Sequence, residues 1–166
     1  MYNIGKLILD GFLFSCISSF LLIIGFHINP RIFLQDYPKD IQAKVPEKTL
    51  SERRQSLLIG IPFILVLILF PFFSTLGLKQ QNSEGSSFIA LFINAFGVAF
   101  FFNLVDWLLL DWLIFCTITP KFVIIPGTEG MASYKDYRFH FRGFLIGTLL
   151  TVVAALLISG IVFFIG

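Results

Sequence analysis

The stretch of sequence that decides the fold is residues 88–118, FIALFINAFGVAFFFNLVDWLLLDWLIFCTI. Roughly 30 almost unbroken apolar residues exceed the ~20 that a helix needs to cross a bilayer. Two aspartates, Asp106 and Asp111, lie in the second half of this run. A carboxylate placed in hydrocarbon costs at least ~2.5 kcal/mol, so an acidic residue inside a span indicates a functional or packing site.

Three further stretches, at about 7–26, 57–78 and 143–165, have the length and apolar character of membrane helices. Backbone polar groups in lipid must be bonded internally, so all four spans are expected to be helices rather than strands. Only 13% of the residues are charged, whereas soluble domains have about 25%. We therefore predict one all-α integral membrane domain over residues 1–166. The first span is followed by no A-x-A cleavage site, so we expect it to be retained.

The lysines and arginines are divided unequally between the two sides of such a bundle. Ten of the 12 fall in the loops between spans one and two and between spans three and four, and the other two are Lys6 and Lys79. The positive-inside rule then places both long loops in the cytoplasm and both termini outside the cell membrane. The formal net charge of +2 is too small to indicate binding of nucleic acid.

The first candidate site is a polar cluster in span three, formed by Asn103, Asp106 and Asp111. On an α-helix Asn103 and Asp106 share a face, while Asp111 is expected about 140° away from Asp106. Trp107 and Trp112 are typical of the membrane boundary, so Asp111 is expected to be the shallower carboxylate. Two roles are open for the aspartates. They could bind a cation, a proton or a polar head group, or they could pair with cations of the bundle, for which the candidates are Arg53, Arg54, His140 and Arg142.

The second candidate site is the segment 134–142, where aromatic residues alternate with cations. Whether this segment is a helix or a strand, aromatic side chains can lie in the interface while Arg138, His140 and Arg142 meet phosphates. The alternative is that the segment only anchors span four. The preceding residues Phe122–Ile125 have the composition of a strand.

Span four carries a stripe of small residues at every fourth position: Gly143, Gly147, Thr151, Ala155 and Ser159. Such stripes let helix backbones approach closely in a membrane. We expect the stripe to pack against span one, and a homo-oligomer contact through the same residues is the alternative. Span two is expected to begin at a capping box formed by Thr49 and Glu52.

The remaining sequence features exclude few of the possible functions. Cys16 and Cys116 lie inside spans and predict no disulfide, and a lone interfacial histidine such as His140 is typically solvated. No metal-binding or nucleotide-binding motif indicates a cofactor. The leading hypothesis is a membrane protein that binds or moves a small cation or a polar lipid. A lipid- or prenyl-modifying enzyme and a structural or accessory subunit, each in contact with membrane lipids, are the alternatives.

Overall fold

The computed structural model describes residues 4–81 and 86–165, and it is built from long helices joined by short helical turns. In chain order the segments are α1 (Ile4–Ile28), a 3₁₀ segment (Pro30–Asp36), α2 (Lys39–Lys44), α3 (Leu50–Gln81), α4 (Phe88–Val105), a π-helical segment (Asp106–Ile118), two further 3₁₀ turns (Lys121–Val123 and Ala132–Lys135), and α5 (Tyr137–Phe164).

Four of these helical stretches are long and apolar enough to cross a membrane, and they correspond to the four predicted spans. The third is continuous from Phe88 to Ile118 and includes both α4 and the π segment. The predicted all-α, multi-pass membrane architecture is therefore confirmed. The strand predicted from Phe122–Ile125 is wrong, because the described residues contain no strand and this loop forms a 3₁₀ turn.

Helices α3, α4 and α5 each begin at a capping side chain. The predicted capping box is present at α3, where the Glu52 amide donates to Thr49 Oγ1 over 3.2 Å and the Thr49 amide donates to Glu52 Oε2 over 2.7 Å. Ser87 accepts from the Ala90 amide at the start of α4. Asp136 accepts from the Phe139 amide at the start of α5. These bonds satisfy amides that have no partner within the helix.

Helix α4 lies at the centre of the bundle and packs against α1, α3 and α5. Phe14 of α1 meets Val98 and Phe102 of α4 in one buried cluster. A second cluster joins Leu91 and Ala95 to the last part of α5. The outward faces of the helices carry many exposed large apolar side chains, as expected of a surface that lipid covers.

The small-residue stripe of α5 packs against α4, so the prediction that it packs against span one is wrong. A Cβ atom added at Gly147 would lie only 2.5 Å from Asn103 Oδ1. Ala155 is buried in the cluster that contains Leu91 and Ala95. Gly143 is different, since a Cβ added there would meet no atom within 4 Å. A homo-oligomer contact through the stripe stays a prediction.

The two long loops fold together into a cap over one end of the bundle, formed by residues 29–49 and 119–136. Its buried core contains Ile32, Tyr37 and Ile41 from the first loop, which pack against Val123, Ile125 and Tyr134 from the second. The Tyr37 hydroxyl donates to the Val123 carbonyl over 2.7 Å. The Ile125 amide donates to the Tyr134 hydroxyl over 2.9 Å. This packing places the end of the first 3₁₀ segment beside the π segment.

Candidate functional site

The π segment aligns the two intramembrane aspartates. In a π-helix each backbone bond joins residues five apart, and the Thr119 amide donates to the Ile114 carbonyl over 2.8 Å in this way. Thr119 itself adopts a left-handed conformation with φ 49° and ends the helix. Since Asp106 and Asp111 are also five apart, both line the same two cavities. The expected separation of about 140° is wrong, because it assumed α-helical geometry.

A third carboxylate, Asp36, joins this pair from the cap. Asp36, Asp106 and Asp111 line both a cavity of about 260 Å³, here called the apolar cavity, and a cavity of about 580 Å³, here called the polar cavity. The three carboxylates therefore lie where the two cavities meet. The apolar cavity lies between α1 and the π segment, and the polar cavity lies between the π segment and α5.

Asp36 is the site residue that sequence reasoning missed. Its side chain is exposed, as its position on both cavity walls requires, yet the surrounding protein removes much of its hydration. This burial raises the pKa of the Asp36 carboxyl above its ordinary value of 3.8, and the nearby Asp111 carboxylate raises it further, while Lys48 opposes both effects. Only the packing of the cap brings Asp36 to the site, so its neighbours in sequence give no signal.

His140 is buried and paired, so it is not the solvated or capping residue that a lone interfacial histidine typically is, and of the candidate partners it is the one that meets an aspartate. Its Nδ1 atom lies 2.9 Å from Asp111 Oδ1, and the side chain is only 6% exposed. A carboxylate accepts hydrogen bonds, so Nδ1 carries the hydrogen of this pair. His140 lines the polar cavity, and its buried Nε2 atom has no hydrogen-bond partner in the described part of the chain. Nε2 is therefore available to a ligand.

Asp106 has no hydrogen-bond or ion-pair partner among residues 4–81 and 86–165. Of the cations considered as partners, His140 pairs with Asp111 and Arg53 pairs with Glu47. Arg54 and Arg142 are both exposed, and of these two only Arg142 lines the polar cavity. The structural role predicted for the aspartates is thus met by Asp111 alone. Asp106 is half-buried, and no cation of the described chain forms an ion pair with it.

Asn103 and Arg138 take different positions from the aspartates. The Asn103 side chain lines the polar cavity, and its Nδ2 atom donates to the Phe144 carbonyl over 3.2 Å and to Thr148 Oγ1 over 2.9 Å. Asn103 therefore joins α4 to α5. Arg138 is exposed and lines neither cavity. Among the described residues no three His, Cys, Asp or Glu side chains converge closely enough to hold a metal ion.

A second polar cluster, which sequence analysis did not predict, lies toward the other end of the bundle. Lys6 and Asp10 form an ion pair on α1, and Ser74 of α3 donates to Asp10 over 2.5 Å. The buried Asn94 donates to Ser74 and Thr75 over 3.1 Å each. The i,i+4 spacing of Lys6 and Asp10 was a usable signal for this pair.

These charged and polar side chains are the basis on which a function can be inferred. Comparison with known proteins gives no relative from which a role could be carried over. No protein-family model, no curated protein and no solved structure matches this chain.

Proposed function

We propose that this protein binds a small cation, or the cationic head group of a polar lipid, at Asp36, Asp106 and Asp111. One observation carries the proposal: three carboxylates converge on two cavities at the loop side of the bundle, and Asp106 has no partner within residues 4–81 and 86–165. An accessory subunit that used the aspartates only to hold its helices together would need neither the cavities nor an unneutralised carboxylate.

The energetics of the site favour a positively charged ligand. A carboxylate inside a membrane domain costs at least ~2.5 kcal/mol, and such groups normally pair or mark a ligand path. His140 forms its ion pair with Asp111, and no lysine, arginine or histidine of the bundle helices in the described chain forms an ion pair with Asp106 or Asp36. A bound cation would offset the cost for both residues at once.

We also propose that the site faces the cytoplasm. The cap over the site and the adjoining starts of α3 and α5 together contain ten of the 12 lysines and arginines. The positive-inside rule assigns this end of the bundle to the cytoplasmic side. A ligand would then reach the carboxylates from the cytoplasm or from the cytoplasmic leaflet.

Binding of simple cations to the purified protein tests the proposal. Methylammonium, dimethylammonium and tetramethylammonium would be titrated in turn, with binding followed by calorimetry, because the side chains of the described residues form no group that could hold a metal ion. We expect at least one of the three to bind wild type and to bind Asp106→Asn at least tenfold more weakly. Glu47→Gln is the matched control, because the Glu47 side chain is 92% exposed and distant from the cavities. Equal binding by wild type and Asp106→Asn would refute the proposal.

One observation favours an enzyme as the second candidate. The Asp111–His140 pair presents Nε2 on the wall of the polar cavity without a partner in the described chain. A carboxylate that orients one ring nitrogen and leaves the other free is a general-base arrangement. Turnover of a lipid substrate that His140→Gln abolishes, while cation binding persists, would establish this candidate in place of a pure binding role.

A further inference from the structure

The two cavities point to the chemical class of the ligand. We infer that it is a single-chain amphiphile whose head group carries a protonated amine, with the amine at the three carboxylates and the hydrocarbon chain in the apolar cavity. This inference rests on the proposed cation site and specifies what that site binds.

The lining of the apolar cavity suits a hydrocarbon chain. Apart from the three aspartates, every residue that lines it is apolar. The walls come from three directions, with Leu22 and Phe26 on α1, Phe63 on α3, and Leu110 and Ile114 on the π segment. A bare inorganic cation gains nothing from such walls, whereas a hydrocarbon chain gains from leaving water.

The polar cavity has a different lining from the apolar cavity. Its wall includes Gln35, Asn103, His140 and Arg142 in addition to the three aspartates. Polar and apolar linings therefore meet at the carboxylates, and a ligand that fits both must have a polar end and an apolar end. Sites for small molecules commonly combine a mainly apolar lining with a few placed polar groups.

The three aspartates determine the sign of the charge that the head group must carry. The three aspartates are shared by both cavities, whereas Arg142 lines only the polar cavity and is exposed there. A charged atom at the junction of the cavities thus faces three carboxylates, and among the lysines and arginines of the described chain only Arg142 lines either cavity. An ammonium is favoured there, and a sulfate or a phosphate at the same point would be repelled.

The volume of the apolar cavity restricts the number of hydrocarbon chains that the ligand can have. The apolar cavity measures about 260 Å³, just below the ~300–1,000 Å³ typical of ligand pockets. This volume suits one chain rather than the two chains of a phospholipid. The ligand class is therefore a long-chain primary amine or an amphiphile with the same head chemistry.

Equilibrium binding in lipid nanodiscs tests the inference, with radiolabelled butylamine, dodecylamine and dodecanol as probes and with the signal of empty nanodiscs subtracted. For wild type we expect dodecylamine to bind at least tenfold more tightly than butylamine, and dodecanol to bind more weakly than dodecylamine. Asp106→Asn should weaken the binding of both amines.

Two variants that fill the apolar cavity make the test specific. Leu22→Phe and Ile114→Phe each add volume to its wall, and each should weaken dodecylamine binding at least fivefold more than it weakens butylamine binding. Leu145→Phe is the matched control, because Leu145 is 51% exposed on α5 and lines neither cavity. Having two variants on different helices protects the test against one that fails to fold.

The outcomes separate the inference from the proposed function. If neither amine binds and the three small ammonium ions also fail to bind, the cation site itself is refuted. If butylamine binds in an Asp106-dependent way and dodecylamine binds no more tightly, the site stands and the amphiphile inference is wrong. Dodecanol binding that equals dodecylamine binding would also overturn it, because the carboxylates would then play no part.

Discussion

The Nδ1 atom of His140 lies 2.9 Å from Oδ1 of Asp111, and this pair ties α5 to the π segment. The contact fixes the orientation of a buried imidazole and gives one of the three clustered carboxylates a hydrogen-bond donor. It also makes Asp111 and Asp106 unequal, because Asp106 has no such partner in the chain as described. The difference between the two aspartates leads to opposite expectations for their removal.

Asp111→Asn is expected to destabilise the protein. The substitution removes the charge that faces a His140 side chain only 6% exposed, and losing one partner of a buried polar pair costs ~1–3 kcal/mol. Thermal unfolding in detergent at neutral pH measures the effect, with His140→Asn and the double variant completing a cycle. If the two effects simply add, the residues are not coupled and the pair does not stabilise the fold.

Asp106→Asn is expected to leave the melting temperature unchanged or to raise it when no ligand is present. The wild-type carboxylate has no partner in the described chain, so removing its charge removes a cost rather than a bond. The measurement is a melting curve beside wild type without added cations. A clear drop in melting temperature would show that Asp106 has a structural partner and would count against the binding site.

Gly147→Leu is expected to destabilise the bundle. A Cβ atom at this position would approach Asn103 Oδ1 to 2.5 Å, and the contact would push α5 away from α4. Gly143→Leu on the same helix is the matched control, because a Cβ there meets no atom within 4 Å. We expect a lower melting temperature for Gly147→Leu only.

The same pair of variants bears on the predicted homo-oligomer. If Gly143→Leu changes the oligomeric state measured by light scattering, the open part of the stripe contacts a second copy. Equal stability of Gly147→Leu and wild type would contradict the packing of α5 on α4.

Cation binding is expected to weaken as the pH falls. The weakening should begin at a higher pH than it would if Asp36 had the ordinary pKa of an aspartate. Burial raises the pKa of Asp36 above 3.8, so this carboxyl takes up a proton at a higher pH in the folded protein than in the unfolded chain. The proton competes with the ligand. The charged form of Asp36 costs stability, and that cost disappears as the pH falls through the raised pKa.

Affinity for methylammonium measured from pH 7 to pH 4 provides the check. Asp36→Asn should bind more weakly at neutral pH and should show a flatter pH profile than wild type. Identical profiles for the two proteins would remove Asp36 from the site.

Both termini are expected to face away from the cytoplasm. The cations of the chain concentrate in the cap and in the adjoining starts of α3 and α5, and this asymmetry directs insertion. Reporter fusions at each end of the chain, active only in one compartment, measure the orientation. A reporter that reads as cytoplasmic at either end would reverse the assignment and place the carboxylates at the opposite leaflet.

The helices could be predicted from sequence because the bilayer sets a strict length and polarity requirement. The spans expected at about 7–26 and 143–165 correspond to Ile4–Ile28 and Tyr137–Phe164, and the differences lie at ends that extend beyond the apolar core. Asp106 and Asp111 were identifiable for the same reason, since charge is rare in hydrocarbon.

The arrangement of the site could not be predicted in the same way. No feature of residues 106–118 distinguishes π-helical from α-helical bonding, so the alignment of the two aspartates was missed. Asp36 reaches the site through the packing of the cap, between residues far apart in sequence. His140 was one of four candidate partners of the aspartates, but the sequence did not distinguish it from the arginines or indicate that it meets Asp111. Such contacts follow from the tertiary structure and leave no periodic signal.

The hydrogen bond between the Tyr37 hydroxyl and the Val123 carbonyl has a consequence for how the site is assembled. It joins the two loops directly next to Asp36, whereas Asp106 and Asp111 belong to the membrane helices. The site is therefore formed where two helical hairpins of the chain pack together. A hairpin made of the first two membrane helices would carry one carboxylate, and a hairpin made of the last two would carry the other two with His140. Only their association creates a complete site, so the presence of all three carboxylates reports that the halves have joined.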